Sequence, residues 1–299
     1  MNQEGGLSVQ MFNPNHCSPE QEGNKGSCLD DDMIKEIAKI LNSLRKKNEK
    51  IKKIDCSMNC QKIHGCICEN IKSISGCNSE ACLLTIKEVM NKLGSKKEEF
   101  KDSFKPLMPK SWINDYNTWV TTTEIEESIQ QHENKDESFY FYGAVPIDFA
   151  NCSVSDLCSI DIKKHKKDGI KKVGIVFNTD PHDKPGKHWI SMYIDLVGSS
   201  LNGIPGIYYF DSFGRKPPEE IHALIQKVIG QGGKKIPFKY FYNDDAIQKD
   251  NSQCGMYSIH FIKEMLKGVS FRELLNKKPT DQDMEEARNI YFINGEEIK

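Results

Sequence analysis

Four residues in the C-terminal half of the chain have the types that thiol chemistry needs: His188, Asp211, Gln248 and Cys254. Cys254 opens the segment CGMYSIHFIKEMLKG (254–268), in which Met256, Ile259, Ile262, Met265 and Leu266 recur at helical spacing. A thiol at a helix N-terminus feels the positive end of the helix dipole, which lowers its pKa and raises the thiolate fraction. Gly255 follows it and lets a substrate backbone approach closely. Taken alone, such a cysteine is more often a small core residue.

A thiolate nucleophile needs a base, and the base needs a group that fixes its tautomer. His188 begins a β-type run, whereas His182 lies in the turn-rich DPHDKPGK, which would hold it poorly. Two carboxylates compete for the orienting place. Asp195 is on the same run as His188, at an odd offset that puts it on the opposite face and ~23 Å away. Asp211 is reachable through a hairpin. The midpoint between 188 and 211 falls between Ser199 and Ser200, inside the turn-like stretch from Gly198 to Gly203. That register brings both side chains to about the same level on adjacent strands, and a bulge would shift it by one or two residues. The oxyanion formed on acyl attack needs fixed donors. The Cys254 backbone N–H is one, and the neutral amide of Gln248, six residues earlier in AIQKDNSQ, is another. Gln253 is the rival, though adjacency to the nucleophile turns its side chain elsewhere; geometry favours Gln248 only modestly.

These groups need a scaffold. Three β-type runs, KVGIVFNT (172–179), HWISMYIDL (188–196) and GIYYFDS (206–212), are followed by a helix that Pro217-Pro218 starts, EEIHALIQKVIG. A fourth strand is PFKYFYN (237–243). The helix at Cys254 comes next, ending near Gly268, and DQDMEEARNIYF makes a last one. Thr121 to His132 reads as a helix with Thr-x-x-Glu capping. Strands mixed with helices in this order predict an α+β core, a central mixed sheet flanked by helices.

The first hundred residues are of another kind. Eight of the 11 cysteines fall there, and residues 30–47 repeat apolar residues at helical spacing, acidic at the start and basic at the end. A second helix is predicted from Ser79 to Lys92. The polar stretch GSKKEEFKDSFKP marks the boundary. The reading is therefore a mainly helical, cysteine-rich arm over residues 1–100, with 1–27 a flexible leader, and a catalytic domain over 101–299. An odd cysteine count without a secretory signal favours reduced thiols over disulfides. The spacings C-x3-C, C-x5-C and C-x-C do not form paired zinc knuckles, so no metal or other cofactor is expected.

A net charge of -2 on 299 residues gives no general pull toward nucleic acid or membrane, and no apolar run is long enough to span a bilayer. The basic run KKHKKDGIKK (163–172) is the one local signal for nucleic acid, and it reads better as a solvated loop before a strand. Oligomeric state is not legible.

The set KHWISMYID, YYFDSFG, and Gln248 six residues before Cys254 in QCGMYS resembles the cysteine-protease clan that holds the adenovirus protease and the SUMO proteases. Within it, NTD before GKHW, the Pro-Pro helix start and the tail DQDM are similar to the polyprotein-processing protease of African swine fever virus and its large-DNA-virus relatives. GCNSEAC (76–82) resembles a short cysteine pair in the arm of that branch. The similarity covers the chain from Trp112 onward well and the first hundred residues thinly. It implies a papain-like, SUMO-protease-like core with His188 as general base, Asp211 as its partner, Cys254 as nucleophile and Gln248 in the oxyanion hole. At the position of Asp211 the swine fever branch carries Asn, so this triad is of the SUMO-protease type. Trp189 matches an aromatic that roofs the SUMO-protease channel, and SWIND (111–115) resembles a motif on which the substrate tail rests, with Trp112, Asn114 and Asp115 as contacts. The activity so implied is cleavage after small residues, of Gly-Gly-X type, in viral structural precursors during virion maturation, in host cytoplasm or virion. The competing activity is deconjugation of SUMO or a ubiquitin-like modifier. An acetyltransferase and a non-enzymatic scaffold are the alternatives from other classes.

Overall fold

The computed structural model describes residues 14–18, 26–233 and 237–298. It forms two compact units, Met1–Ile113 with Asn289–Lys299, and Asn114–Arg288. The division falls at residue 113 rather than near residue 100, and residues 289–299 group with the first unit rather than the second. Local reasons are visible: within the first unit Met108 N–H donates to the Ile293 carbonyl, and Trp112 packs edge to face on Phe292.

The first unit is helical, with α1 (Asp31–Leu44), α2 (Cys60–Ser75), α3 (Lys87–Lys92), α4 (Lys97–Lys101) and α5 (Lys110–Asn114), the last reaching one residue past the boundary. Helix α1 is where its periodicity puts it, and Asp30 caps it by accepting the Met33 N–H at 2.7 Å. Helix α2 escapes the sequence reading because Gly65 and three cysteines dilute its signal; Ile63, Ile67 and Ile71 nevertheless share one buried face. The helix expected over 79–92 is split into a 3-10 turn (Glu80–Thr85) and α3. Of the expected leader, residues 14–18 and 26–27 are described and the rest lies outside the described residues. His16 is buried and bonded to Ser79. The expectation of reduced thiols fails at three pairs: Cys17–Cys28, Cys77–Cys82 and Cys152–Cys158 are disulfides. Each closes a short local loop that holds its two sulfurs together. Glu80, 1% exposed, binds His64 at 2.8 Å and accepts from Ser27 Oγ and the Cys28 N–H. Burial works against a charged His64, but its bonds to Cys68 and Glu80 and their charges prevail and raise its pKa to about 10.

The second unit is built on one five-stranded sheet, β1 (Phe139–Pro146), β2 (Lys172–Asn178), β3 (Trp189–Asp195), β4 (Gly206–Phe210) and β5 (Lys239–Tyr242), in that spatial order. The outer pairs β1–β2 and β4–β5 are parallel; the inner pairs are antiparallel. Every residue of β3 and β4 is buried, which is why these runs are apolar without alternation: both faces are covered. Strand β1 was not expected, because Gly143, in the left-handed region at φ +89°, breaks its pairing with β2 and its pattern together.

Helices α6 (Thr122–Lys135), α7 (Ile162–Lys167), α8 (Glu219–Gln231), α9 (Cys254–Leu266) and α10 (Phe271–Lys277) accompany the sheet, and α11 (Asp281–Tyr291) runs across the boundary at Arg288. Helix α6 starts with the expected capping box of Thr121 and Glu124. Ile221, Leu224, Ile225 and Val228 of α8 join one sheet face, and Phe261 of α9 stacks on Phe210 of β4. The basic run is not a loop. Its first half forms α7, capped by Asp161; His165 lies 2.8 Å from the Tyr142 hydroxyl, and Lys172 pairs with Asp136.

Candidate active site

Strands β3 and β4 pair with Ser191 opposite Phe210 and Met192 opposite Tyr209. Continued outward, this register sets Asp211 opposite Ile190, two residues from His188 and on its side of the strand. The midpoint construction is therefore off by one step, within the shift a bulge could cause. Asp195 accounts for it: its carboxylate accepts the N–H groups of Val197, Gly198 and Ser200 and builds the turn locally. Gly198, at φ +76°, sits so close to the Ile204 backbone that a Cβ there would collide. Asp195 is thus spent on the hairpin. His182, the other rejected candidate, is exposed and paired with Asp148.

Diagonal neighbours lie ~7–8 Å apart at the backbone, within the reach of an imidazole and a carboxylate. His188 Nε2 is 2.7 Å from Asp211 Oδ1, which leaves Nδ1 free of the carboxylate, and the Cys254 thiol acts on the same ring. All three side chains are buried. Burial opposes charging His188, yet the bonds to Asp211 and Cys254 and their negative charge outweigh it and raise its pKa to about 9. The carboxylate also accepts the Phe213 N–H at 2.9 Å, and the Phe213 ring lies against the imidazole with centroids 4.9 Å apart. Asn243, just beyond β5, clamps the Asp211 backbone on both sides, accepting its N–H and donating to its carbonyl. Nothing in the sequence marks Asn243, since its partners come from a neighbouring strand.

Cys254 is the first residue of α9, and no side chain caps that helix, so its first-turn N–H groups point at the thiol's surroundings unopposed. The loop before it is tied down bond by bond. Gln248 Oε1 accepts from Ser212 Oγ at 2.6 Å, directly after Asp211, and its amide nitrogen donates to the Asp250 carbonyl. Gln253 turns away, donating to the Tyr116 carbonyl and accepting from Arg288.

The five residues expected at substrate divide. Trp189 is 7% exposed and its indole N–H donates to the Val120 carbonyl. At Gly255 a Cβ would lie 2.5 Å from Val120 Cβ, so the glycine admits Val120 against α9. Trp112 is 1% exposed in the core of the first unit and has no surface to offer a substrate. Asn114 and Asp115 are exposed but do not line the cleft beside Trp189. That cleft, of about 330 Å³, is lined by Trp119, Val120, Pro146, Asn178, Lys187 and Trp189 among others. Trp119, 47% exposed, is the aromatic that the sequence reading passed over. A tryptophan two residues before the α6 cap carries no pattern that separates it from Trp112.

A buried acid–imidazole–thiol set on a mixed sheet, with the thiol opening a helix, defines a cysteine-protease site. The C-terminal catalytic domain of the Ulp1 protease family matches residues 148–299, and the chain belongs to that family. It is a cysteine protease. A protein named as a thiol protease in Acanthamoeba polyphaga mimivirus is 35% identical over 180 residues, 59% of this chain but 57% of the mimivirus protein. The cysteine protease of African swine fever virus is 26% identical over 302 aligned positions, 93% of this chain and 95% of that one. A crystal structure of the swine fever virus protease has the same fold, with a TM-score of 0.66 at 24% identity over 94% of this chain and 97% of that one.

Proposed function

We propose that this protease hydrolyses peptide bonds after small residues, of Gly-Gly-X type, in viral structural precursors during virion maturation, acting in host cytoplasm or virion. The observation that carries the catalytic part is the His188 ring, bonded through Nε2 to Asp211 and raised in pKa by Asp211 and Cys254 together. The Cys254 thiolate adds to the scissile carbonyl carbon, forming a C–S bond as the carbonyl electrons move to oxygen. The oxyanion is met by the Cys254 N–H and by the Gln248 amide, whose oxygen accepts from Ser212 and whose nitrogen, bonded to Asp250 at rest, turns one N–H to the oxyanion. Collapse expels the amine, which takes the imidazolium proton. Water, deprotonated by His188, then attacks the thioester and releases the acid and the thiolate. Asp211 keeps the ring in the required tautomer throughout.

The small-residue preference is supported by Trp189, next to His188 in the chain, which is buried with its ring anchored to the Val120 carbonyl. The viral-precursor reading rests on the two viral relatives. A second reading, removal of SUMO or a ubiquitin-like modifier from conjugates, is favoured by the family match and by another African swine fever virus relative, 25% identical over 301 positions, that bears the name SUMO-1 cysteine protease. Turnover of Gly-Gly-X peptides with no reaction at a ubiquitin-like C-terminal probe, and with Cys254→Ala inert, supports the first. Labelling by the probe with no peptide cleavage replaces it by the second.

A further inference from the structure

Asp281, the first residue of α11, gathers three hydrogen bonds from the machinery around Cys254. Its Oδ2 accepts the N–H groups of Lys249 and Asp250, both at 3.0 Å, and these are the two residues directly after Gln248. Its Oδ1 accepts the Tyr257 hydroxyl at 3.0 Å. Tyr257 lies three residues after Cys254, one turn along the same helix, and is fully buried. Its hydroxyl is also directed at the Pro279 carbonyl, two residues before Asp281. Burial and the Asp281 charge hold that phenol protonated far into the alkaline range.

We infer that Asp281 is a positioning residue for the oxyanion hole: one carboxylate fixes the Gln248 loop to the helix that carries the nucleophile. The inference rests on the oxyanion role proposed for Gln248. The two donors, the Gln248 amide and the Cys254 N–H, sit on different segments, a loop and a helix. They stabilise the oxyanion only if their separation is held to a fraction of an ångström. Asp250 stiffens the loop from within, its Oδ1 accepting the N–H groups of Ser252 and Gln253. That bond set ties the loop to Gln253, the residue before α9, but not to the body of the helix. On the opposite side Ser212 accepts the N–H groups of Ile247 and Gln248 at its carbonyl and anchors the loop to the Asp211 strand. Asp281 adds a tie to Tyr257, one turn inside α9, charge-assisted and therefore stronger than a neutral bond. The imidazole and thiol take no part in it, so thiolate formation does not depend on Asp281.

The test is a double-mutant cycle on the full chain. Asp281→Ala lowers kcat for a peptide substrate about 10-fold with KM nearly unchanged, and Gln248→Ala lowers it roughly 100-fold. In the double variant, Asp281→Ala costs little beyond the Gln248→Ala loss. Alkylation of Cys254 by iodoacetamide, followed by mass spectrometry of its peptide, keeps the native rate in Asp281→Ala, because it needs the thiolate and not the oxyanion donors. Tyr257→Phe, which leaves Asp281 and the loop bonds intact, gives a smaller loss of the same kind. Full additivity, or a fall in alkylation parallel to kcat, overturns the assignment, the second outcome meaning general disruption. A Gln248→Ala variant with native kcat instead removes the oxyanion reading beneath it.

Discussion

Nε2 of His188 and Oδ1 of Asp211 lie 2.7 Å apart although the two residues are diagonal rather than opposite in the β3–β4 ladder. The pairing decides how the site responds to pH. His188 is held at about 9, above its ordinary 6.5. A raised histidine pKa contributes stability that is complete below about 6.5 and is lost as pH rises through about 9. Activity should therefore show an alkaline limb near pH 9, where the imidazolium that donates to the leaving amine disappears. A kcat profile against pH checks this; a limb near 6.5 refutes it.

Asp211→Asn keeps an oxygen that can accept from Nε2 but removes the charge. It should retain more activity than Asp211→Ala and move the alkaline limb downward. Cys254→Ala should abolish turnover and His188→Ala nearly so. Peptide hydrolysis read with Cys254 alkylation separates loss of the nucleophile from loss of its base.

Ser212 should matter through Gln248 alone. Ser212→Ala deletes one buried hydrogen bond, ordinarily about 1 kcal/mol, so kcat should fall roughly 5-fold. KM should hold. A change in KM alone would assign Ser212 to substrate binding instead.

The two tryptophans before α6 should behave oppositely. Trp112→Ala removes a buried indole packed on Phe292 and should cost about 3–5 kcal/mol of stability, read by denaturant unfolding. Trp119→Ala, at the exposed lip of the cleft, should leave stability within about 0.5 kcal/mol and raise KM with kcat kept. Equal effects on folding would mean that Trp119 is not a substrate contact.

The Cys17–Cys28 disulfide of the first unit should be measurable in stability. Replacing Cys17 and Cys28 by serine should destabilise that unit by about 2–4 kcal/mol, because the unfolded chain regains the freedom the link removed. Denaturant unfolding of the Cys17→Ser, Cys28→Ser variant beside the oxidised wild type checks it.

By itself the sequence settled the local and the patterned. The helical spacing after Cys254, the capping at Thr121, and the apolar runs of β2, β3 and β4 act over a few residues, and each element lies where its pattern put it. The choice of Asp211 over Asp195 was also legible, since strand periodicity alone keeps Asp195 from reaching His188. What only the tertiary structure decided are meetings between distant segments: Asn243 around Asp211, Asp281 between the Gln248 loop and Tyr257, and Val120 against Gly255. It also separated the buried Trp112 from the exposed Trp119, and it paired cysteines that composition had left reduced. A polar side chain's purpose is set by the partners that folding brings to it, and those partners leave no periodic trace in the chain around it.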